Sequence, residues 1–292
     1  MTLLETDIAS LLPTQTFDRR AFLVTGLGAG FALAVQPVAA QTAILTDSAG
    51  LQAGPVKIGV RGGEMIAYRA QPEGARKAPV ILVVSEIFGV HEYIQDVCRR
   101  LARLGYCAIA PELFARQGDP RQYATIPDIL AKITSKTPDA QVLADLDACV
   151  AWAATQGADT ARLGITGFCW GGRITWLYAA HNPALRAGVA WYGRLTGPAN
   201  EITPRYPVDI AAQVAAPVLG LYGGQDAGIP LDSVEAMRQA LAAAGGKSRI
   251  EVYADAPHAF HADYRPSYRK EPAEDGWRRL LAWFAEHGLA PG

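Results

Sequence analysis

A strand, a tight turn and a helix follow one another in the middle of this 292-residue chain. The turn is Gly167-Phe168-Cys169-Trp170-Gly171-Gly172. Small residues on both sides of a central residue are typical of a strained turn between a strand and a helix, because larger neighbours would clash with the strand or the helix. A helix N-terminus favours the thiolate form of a cysteine, and the next amide, that of Trp170, is placed to bind an oxyanion. The turn therefore predicts a nucleophile, Cys169; the alternative is a buried cysteine in a Gly-rich turn.

Composition limits the possible classes of protein. Half of the residues are hydrophobic and the formal net charge is −1, which predicts one large α/β domain with a sizeable core. Without a basic surplus, neither nucleic acid nor an anionic membrane surface is an expected partner. We expect a monomer that acts on a small molecule.

The first 40 residues differ from the rest. Arg19-Arg20 precedes Phe22-Leu23, an apolar run (Val24–Val35) and the small residues of Val38-Ala39-Ala40. This pattern predicts a twin-arginine signal that engages the twin-arginine export machinery, with cleavage before Gln41 and a periplasmic location. The run is too short for a stable membrane anchor. An uncleaved N-terminal helix or a wrongly chosen start codon are the alternatives, with a cytoplasmic location.

Residues 41–55 are interpreted as a linker and residues 56–292 as one domain. The predicted strands besides the one before Gly167 are Val56–Val60, Met65–Ala70, Pro79–Val84, Tyr106–Ala110, Arg186–Tyr192, Pro217–Tyr222 and Ser248–Tyr253. The predicted helices besides the one after Cys169 are His91–Leu104, Pro138–Thr155, Leu231–Ala244 and Glu271–His287. Residues 112–137 and 193–216 are expected to be irregular. The alternation predicts a mostly parallel sheet with helices on both faces.

Three side chains follow strands in the order nucleophile, acid, histidine: Cys169, Asp226 and His258. The loops after parallel strands gather at one edge of a sheet, and this chain order is that of the α/β-hydrolase fold. His258 would take the thiol proton, and Asp226 would orient His258. Asp226 could instead be a turn or cap residue, and His258 with His261 could suggest a metal site, although no third ligand is suitably spaced. His261 is otherwise expected in a loop or at the rim.

Glu86 lies between an apolar strand and Ile87-Phe88, where it could contact the thiol; it could also cap the next helix or pair with an arginine. His91, His181 and His287 are expected to be surface or capping residues.

The remaining cysteines are Cys98, Cys107 and Cys149. Their spacing fits neither a disulfide framework nor a zinc site, so we expect them in the core.

From about Val56 to its C-terminus, the chain resembles the dienelactone hydrolase (carboxymethylenebutenolidase) family. The matching segments are Ser85-Glu86-Ile87-Phe88-Gly89-Val90, Ala110-Pro111-Glu112-Leu113-Phe114-Ala115-Arg116, Gly167-Phe168-Cys169-Trp170-Gly171-Gly172, Trp191-Tyr192-Gly193, Gly223-Gly224-Gln225-Asp226 and Pro257-His258-Ala259-Phe260.

The resemblance implies catalytic roles for Cys169, Asp226, His258 and Glu86. The amides of Ile87 and Trp170 would form the oxyanion hole. Glu86 would keep the resting thiol neutral and accept its proton when substrate binds. The thiolate would then open a lactone through a thioester, which water hydrolyses.

The resemblance leaves substrate binding less defined. Ala262 occupies the position, four residues after His258, where family members carry a carboxylate-binding arginine. Arg265 and Arg121 are the candidates to replace the family's two arginines. Further expected substrate-binding residues are Phe88, Trp191 and Tyr192.

The leading prediction is thus a hydrolase of lactones or activated esters that needs no metal or organic cofactor. A broad-specificity carboxylesterase is the second hypothesis. A non-catalytic ligand-binding or redox-sensing domain on the same scaffold is the third.

Overall fold

The structure is a computed structural model that describes residues 43–291. Within this range, the strands are β1 (Leu51–Val60), β2 (Gly63–Pro72), β3 (Pro79–Val84), β4 (Cys107–Pro111), β5 (Asp159–Phe168), β6 (Leu185–Trp191), β7 (Val218–Gly223) and β8 (Arg249–Tyr253). These eight strands form one sheet in the order β1-β2-β4-β3-β5-β6-β7-β8. β2 pairs antiparallel with β1 and β4, and all other neighbours are parallel. The predicted mostly parallel sheet is confirmed.

Helices connect the parallel strands. The α-helices are α1 (Glu92–Arg103), α2 (Ile126–Lys132), α3 (Asp139–Thr155), α4 (Trp170–His181), α5 (Leu231–Ala243) and α6 (Lys270–Glu286). Short 3₁₀ segments occupy Pro120–Gln122, Thr134–Lys136 and Pro207–Gln213.

The two faces of the sheet are both covered. Side chains of a strand alternate between faces, so Gly188 and Trp191 of β6 point in opposite directions. Gly188 lies against Thr175 of α4, whereas Trp191 packs against Gly276 of α6. α4 and α6 therefore lie on opposite faces. The central strand β3 is buried along its whole length, as its continuous apolar sequence predicts.

The structure differs from the sequence predictions at two segments. β1 begins at Leu51, which pairs with Pro72, so the last five residues of the predicted linker belong to the sheet. Gly54 and Pro55 suggested a linker rather than a strand, but an edge strand tolerates both residues.

Residues 112–137 contain the short helix α2, which was not predicted. Thr125 accepts a hydrogen bond from the Asp128 amide and caps it. Ile126 and Ile129 are buried in a cluster with Phe88. At seven residues, this helix is too short for its apolar period to be recognised.

The predicted export signal lies outside the described residues. Among residues 43–291, no helix is both long enough and apolar enough to cross a bilayer.

Candidate active site

The turn after β5 holds Cys169 in a strained conformation. Its φ is 55° and its ψ is −115°, and its amide donates to the Trp191 carbonyl at 3.0 Å. A Cβ on Gly167 would lie 2.2 Å from the Gly171 carbonyl oxygen, and one on Gly171 would lie 2.2 Å from that of Val84. Only glycine fits at both positions, so the turn can form only with this sequence pattern. The result is a partly exposed thiol at the N-terminus of α4.

Asp226 and His258 meet beside this turn. His258 Nδ1 lies 2.6 Å from Asp226 Oδ2, and the Gly228 amide donates to Asp226 Oδ1 at 2.9 Å. Gly223, at the end of β7, permits the close approach of the two loops: a Cβ there would lie 2.3 Å from the Ala256 carbonyl oxygen. The sequence therefore brings the acid and the histidine together through loops that follow β7 and β8.

His258 carries an altered charge state. Burial on its own lowers the pKa of the imidazole, but Asp226 and then Cys169 stabilise the protonated ring and raise its pKa to about 10. Nε2 is buried and makes no hydrogen bond of standard geometry within the described residues. A protonated histidine beside a cysteine favours the thiolate.

Glu86 is almost fully buried in the loop after β3. Its Oε2 lies 3.2 Å from His91 Nε2, and its Oε1 accepts a hydrogen bond from the Tyr264 hydroxyl at 3.3 Å. Burial and then the Glu86 charge raise the pKa of Tyr264, so this hydroxyl keeps its proton and can donate. Neither His91 nor Tyr264 was assigned to the site from the sequence. Of the two alternatives expected for His91, a surface or a capping residue, the structure shows the second position: His91 is only 9 % exposed and is the N-cap residue of α1, without a side-chain cap hydrogen bond.

Arg121 is linked to the loop that carries Glu86 through Glu112. The loop turns at Gly89, and the backbone amide of the next residue, Val90, donates to Glu112 Oε2 at 3.2 Å. Arg121 Nη2 lies 3.2 Å from Glu112 Oε1, and Arg121 Nε lies 2.7 Å from Asp119. Two carboxylates thus hold the guanidinium that was predicted to bind substrate.

A cavity of about 250 Å³ opens beside Cys169. Of the predicted site residues, those that line it are Cys169, His258, Ile87, Trp170 and Tyr192. Neither the Ile87 nor the Trp170 amide donates a turn, loop or cap hydrogen bond in the described part of the chain. Both amides therefore have a donor to offer to an oxyanion.

The other predicted site residues are not among those that line this cavity. Asp226 is buried and contacts His258 Nδ1, and Glu86, which precedes Ile87 in the chain, is also buried. Phe88 packs in an apolar cluster, and the Arg265 guanidinium lies 5.8 Å from its ring. Trp191 is buried, with its Nε1 donating to Thr166 Oγ1 at 3.1 Å.

The cavity has residues that the sequence reading missed. Arg173 and Arg194 both line it, as does Thr134. Arg173 could have been noticed as a charged residue in the first turn of an otherwise apolar helix. Arg194 directly follows the matching Trp-Tyr-Gly segment, but nothing in the sequence indicates where that loop lies.

The remaining histidine and cysteine predictions have definite outcomes. His261 is buried rather than at a rim, and its Nδ1 lies 2.6 Å from the Tyr93 hydroxyl. Burial, with a contribution from Arg100, lowers the pKa of His261 well below its usual value, so the ring is neutral. No group of three or more potential metal ligands occurs among residues 43–291. The predicted core positions of Cys98, Cys107 and Cys149 are confirmed.

Comparison with known proteins decides the family. The family model described as "Dienelactone hydrolase family" matches residues 65–288. The chain belongs to the dienelactone hydrolase family.

Similar dienelactone hydrolase relatives cover nearly the whole chain. A "Putative carboxymethylenebutenolidase" of Methylorubrum extorquens is 61% identical over 99% of this chain and 100% of its own length. A protein of the same description from Escherichia coli is 57% identical over 91% of this chain and 98% of its own. The crystal structure of a "Putative Dienelactone Hydrolase" from Klebsiella pneumoniae has a TM-score of 0.80 and 60% identity, covering 81% of this chain and 99% of that one.

Membership of the dienelactone hydrolase family makes the protein a hydrolase with the α/β-hydrolase fold. Both the family and the fold predicted from the sequence are confirmed.

Proposed function

We propose that the protein hydrolyses lactones or activated esters with Cys169 as nucleophile, His258 as acid and base, and Asp226 as the residue that orients His258. The observation that carries this proposal is that Cys169 and His258 line one cavity, that Asp226 contacts His258 Nδ1, and that the thiol sits in a strained turn at a helix N-terminus. This is the arrangement that nucleophilic catalysis needs.

The proposed reaction has two halves. Because His258 already carries a proton at neutral pH, the reacting form is a Cys169 thiolate beside the His258 imidazolium. The sulfur bonds to the carbonyl carbon while the Ile87 and Trp170 amides stabilise the oxyanion. The ring C–O bond breaks, and the leaving oxygen, an enolate in a dienelactone, takes the proton from His258 or solvent. His258, now neutral, takes a proton from a water molecule as the water oxygen bonds to the thioester carbon. The S–C bond then breaks, the acid product leaves, and the Cys169 thiolate and the His258 imidazolium are restored.

Glu86 is included in the proposal as the proton acceptor for enzyme that rests with a neutral Cys169 thiol, because a protonated His258 cannot take that proton. Its carboxylate is held by His91 and Tyr264. To reach Cys169 it would have to leave these partners, so substrate binding must supply the displacement.

The test compares a dienelactone with a p-nitrophenyl ester, using residues 41–292 and the variant Cys169→Ala. Cys149→Ala is the matched control, because that cysteine is buried in α3. We expect hydrolysis to be lost only in Cys169→Ala, and acid quenching to trap an acyl group on Cys169 by mass spectrometry. Ester turnover without lactone turnover would identify a general esterase. Turnover that survives Cys169→Ala would refute the proposed mechanism.

We also propose that residues 1–40 export the folded protein to the periplasm. The twin arginine and the small residues before Gln41 support this proposal. Export of a folded protein would deliver Cys169 already enclosed. Replacing Arg19 and Arg20 by lysine should retain the uncleaved protein in the cytoplasm, as judged by cell fractionation.

A further inference from the structure

A second cavity, of about 340 Å³, adjoins the loop that carries His258. His258 itself lines the cavity beside Cys169, whereas His261, Asp263 and Tyr268 of the same loop line the second one. Within the described part of the chain, no residue is common to the two linings. The second cavity is therefore separate from the proposed catalytic site.

Aromatic and apolar side chains form much of the second cavity. Trp277 and Ala273 come from α6, Tyr268 lies just before that helix, and Ile44 belongs to the N-terminal arm. Trp277 and Tyr268 are both half-buried, so part of each side chain stays accessible. Cavities of this size with aromatic walls and few polar groups are typical small-molecule sites, and flat rings pack well in them.

The His261 ring is held firmly at this cavity. It is stacked between Phe168 and Trp277, with centroid distances of 5.5 Å and 5.8 Å and interplanar angles of 27° and 24°. Its Nδ1 lies 2.6 Å from the Tyr93 hydroxyl oxygen. These contacts fix both the plane and the rotation of the imidazole.

The contact with Tyr93 also fixes the tautomer of His261. Burial, and then the charges of Tyr192 and Glu86, raise the pKa of Tyr93 well above its usual value, so the hydroxyl keeps its proton. Among residues 43–291 this hydroxyl makes no other hydrogen bond, so it donates to Nδ1. A neutral imidazole that accepts at Nδ1 carries its own hydrogen on Nε2.

The Nε2–H group of His261 is left as a spare donor. It makes no hydrogen bond within the described residues, although His261 is only 4% exposed. It is not sealed inside the protein, in contrast to His258 Nε2, which is buried without a partner. Because His261 lines the second cavity, this donor is available to a molecule there, and an acceptor would make a hydrogen bond that the protein leaves unmade.

The charged residues of the lining already have partners. Arg100 Nη2 lies 2.5 Å from Asp263 Oδ2, so these two neutralise each other within the lining. The other two, Glu274 and Arg278, each pair with a residue of opposite sign within α6. The cavity therefore offers no net charge to an ionic ligand and favours a neutral one.

We propose that the second cavity binds a small neutral ring compound whose oxygen or nitrogen accepts a hydrogen bond from His261 Nε2. The ring lies against Trp277 and Tyr268, and the acceptor faces His261. This inference goes beyond the proposed hydrolysis and does not depend on it.

The test compares two ligands of nearly the same shape, using the full chain. Acetophenone has an aromatic ring and a carbonyl acceptor, and ethylbenzene has a methylene group in place of that carbonyl. Ligand-observed NMR titrations give the dissociation constant of each. Neither compound is an ester, so the proposed reaction cannot consume it.

The variants separate the donor from the space of the cavity. His261→Phe keeps a flat ring between Phe168 and Trp277 but removes the Nε2 hydrogen. Ala273→Leu fills part of the cavity, because Ala273 is buried and lines it. The matched control is His181→Phe, since His181 is exposed and lies in neither lining.

We expect the wild type and His181→Phe to bind both ligands alike. In His261→Phe, the affinity for acetophenone should fall about tenfold, as loss of one hydrogen bond implies, while that for ethylbenzene stays the same. Ala273→Leu should weaken the binding of both ligands.

Three results would overturn the proposal. Acetophenone that does not bind the wild type at millimolar concentration would show that the cavity takes no such ligand. An equal change for both ligands in His261→Phe would exclude the donor contact. Unchanged binding in Ala273→Leu would mean that the ligands occupy another place. Since no turnover is measured, each of these results leaves the proposed hydrolysis standing.

Discussion

His258 Nδ1 lies 2.6 Å from Asp226 Oδ2, although the two residues are 32 positions apart and follow different strands. The contact orients the imidazole and stabilises its protonated form. Burial alone would have the opposite effect on the pKa of His258, but with Asp226 and Cys169 the net result is a pKa of about 10. The pair thus determines both the position of the proposed acid–base group and its charge.

The raised pKa predicts the alkaline side of the pH profile. His258 is protonated below about 10, so the acid that protonates a leaving oxygen is present at neutral pH and is lost as the pH rises through about 10. Activity on an ester with a poor leaving group should fall in that range, whereas a p-nitrophenyl ester should be less affected. A steady-state pH series with both substrates measures this, and a fall centred near 7 for the first would contradict it.

Replacing Asp226 by asparagine should leave the fold intact and disable the histidine. Asparagine fills the same space but cannot stabilise the imidazolium, so we expect kcat to fall about 10³–10⁴-fold. The His258 resonance in NMR should titrate at lower pH than in the wild type. Asp232→Asn is a suitable control, since Asp232 lies at the start of α5 and is not among the cavity residues.

The sequence was sufficient to predict the site residues that directly follow strands. Cys169, Asp226 and His258 could be predicted because each follows a parallel strand, and such ends share one edge of the sheet. The surroundings of Arg121 could not be predicted, because its position depends on a long-range ion pair with Glu112. Local pattern does not encode contacts of this kind.

Arg173 and Thr134, which line the cavity, could not be predicted from the sequence pattern either. Arg173 is buried because Asp139, 34 residues earlier, neutralises it, and Thr134 lies in a segment without recognisable period. Loops are placed by the tertiary contacts that they make, so their contribution to a site emerges only with the structure.

Gly171→Ala should damage the nucleophile turn. Its new Cβ would lie 2.2 Å from the Val84 carbonyl oxygen, and backbone cannot yield as a flexible side chain can. We expect a loss of about 3 kcal/mol in the free energy of unfolding, measured by denaturant titration, with lowered activity in any folded fraction. Gly59→Ala is the control, because a Cβ at Gly59 meets nothing within 4 Å. Equal stability of the two variants would show that the turn tolerates a side chain.

Asp96 should be important for stability, since it links the N-terminal arm to the loop that carries His258. It is 1% exposed, accepts from the Thr46 amide at 2.5 Å and pairs with Arg100, which also pairs with Asp263 at 2.5 Å. Asp96→Ala leaves the buried Arg100 guanidinium without one of its two carboxylates, so it should lower the free energy of unfolding by about 3–5 kcal/mol.

The control for Asp96 is an ion pair at the surface. Lys57 and Glu64 are 3.1 Å apart but largely exposed, so Lys57→Ala should barely alter the denaturation midpoint. If both variants unfold at the same denaturant concentration as the wild type, the buried network has no structural importance.

Cys169 should be the cysteine that reacts in the native protein. Burial raises the pKa of Cys107 to about 11 and raises those of Cys98 and Cys149 as well, and all three side chains are inaccessible. Cys169 is partly exposed at a helix N-terminus beside a protonated histidine. Brief iodoacetamide treatment of residues 41–292 should therefore add one carboxamidomethyl group, assigned to Cys169 by peptide mass spectrometry.

His258→Gln should slow the labelling, because loss of the imidazolium removes the charge that favours the thiolate. Unchanged labelling in that variant would mean that the thiolate is stabilised by the helix N-terminus and not by His258.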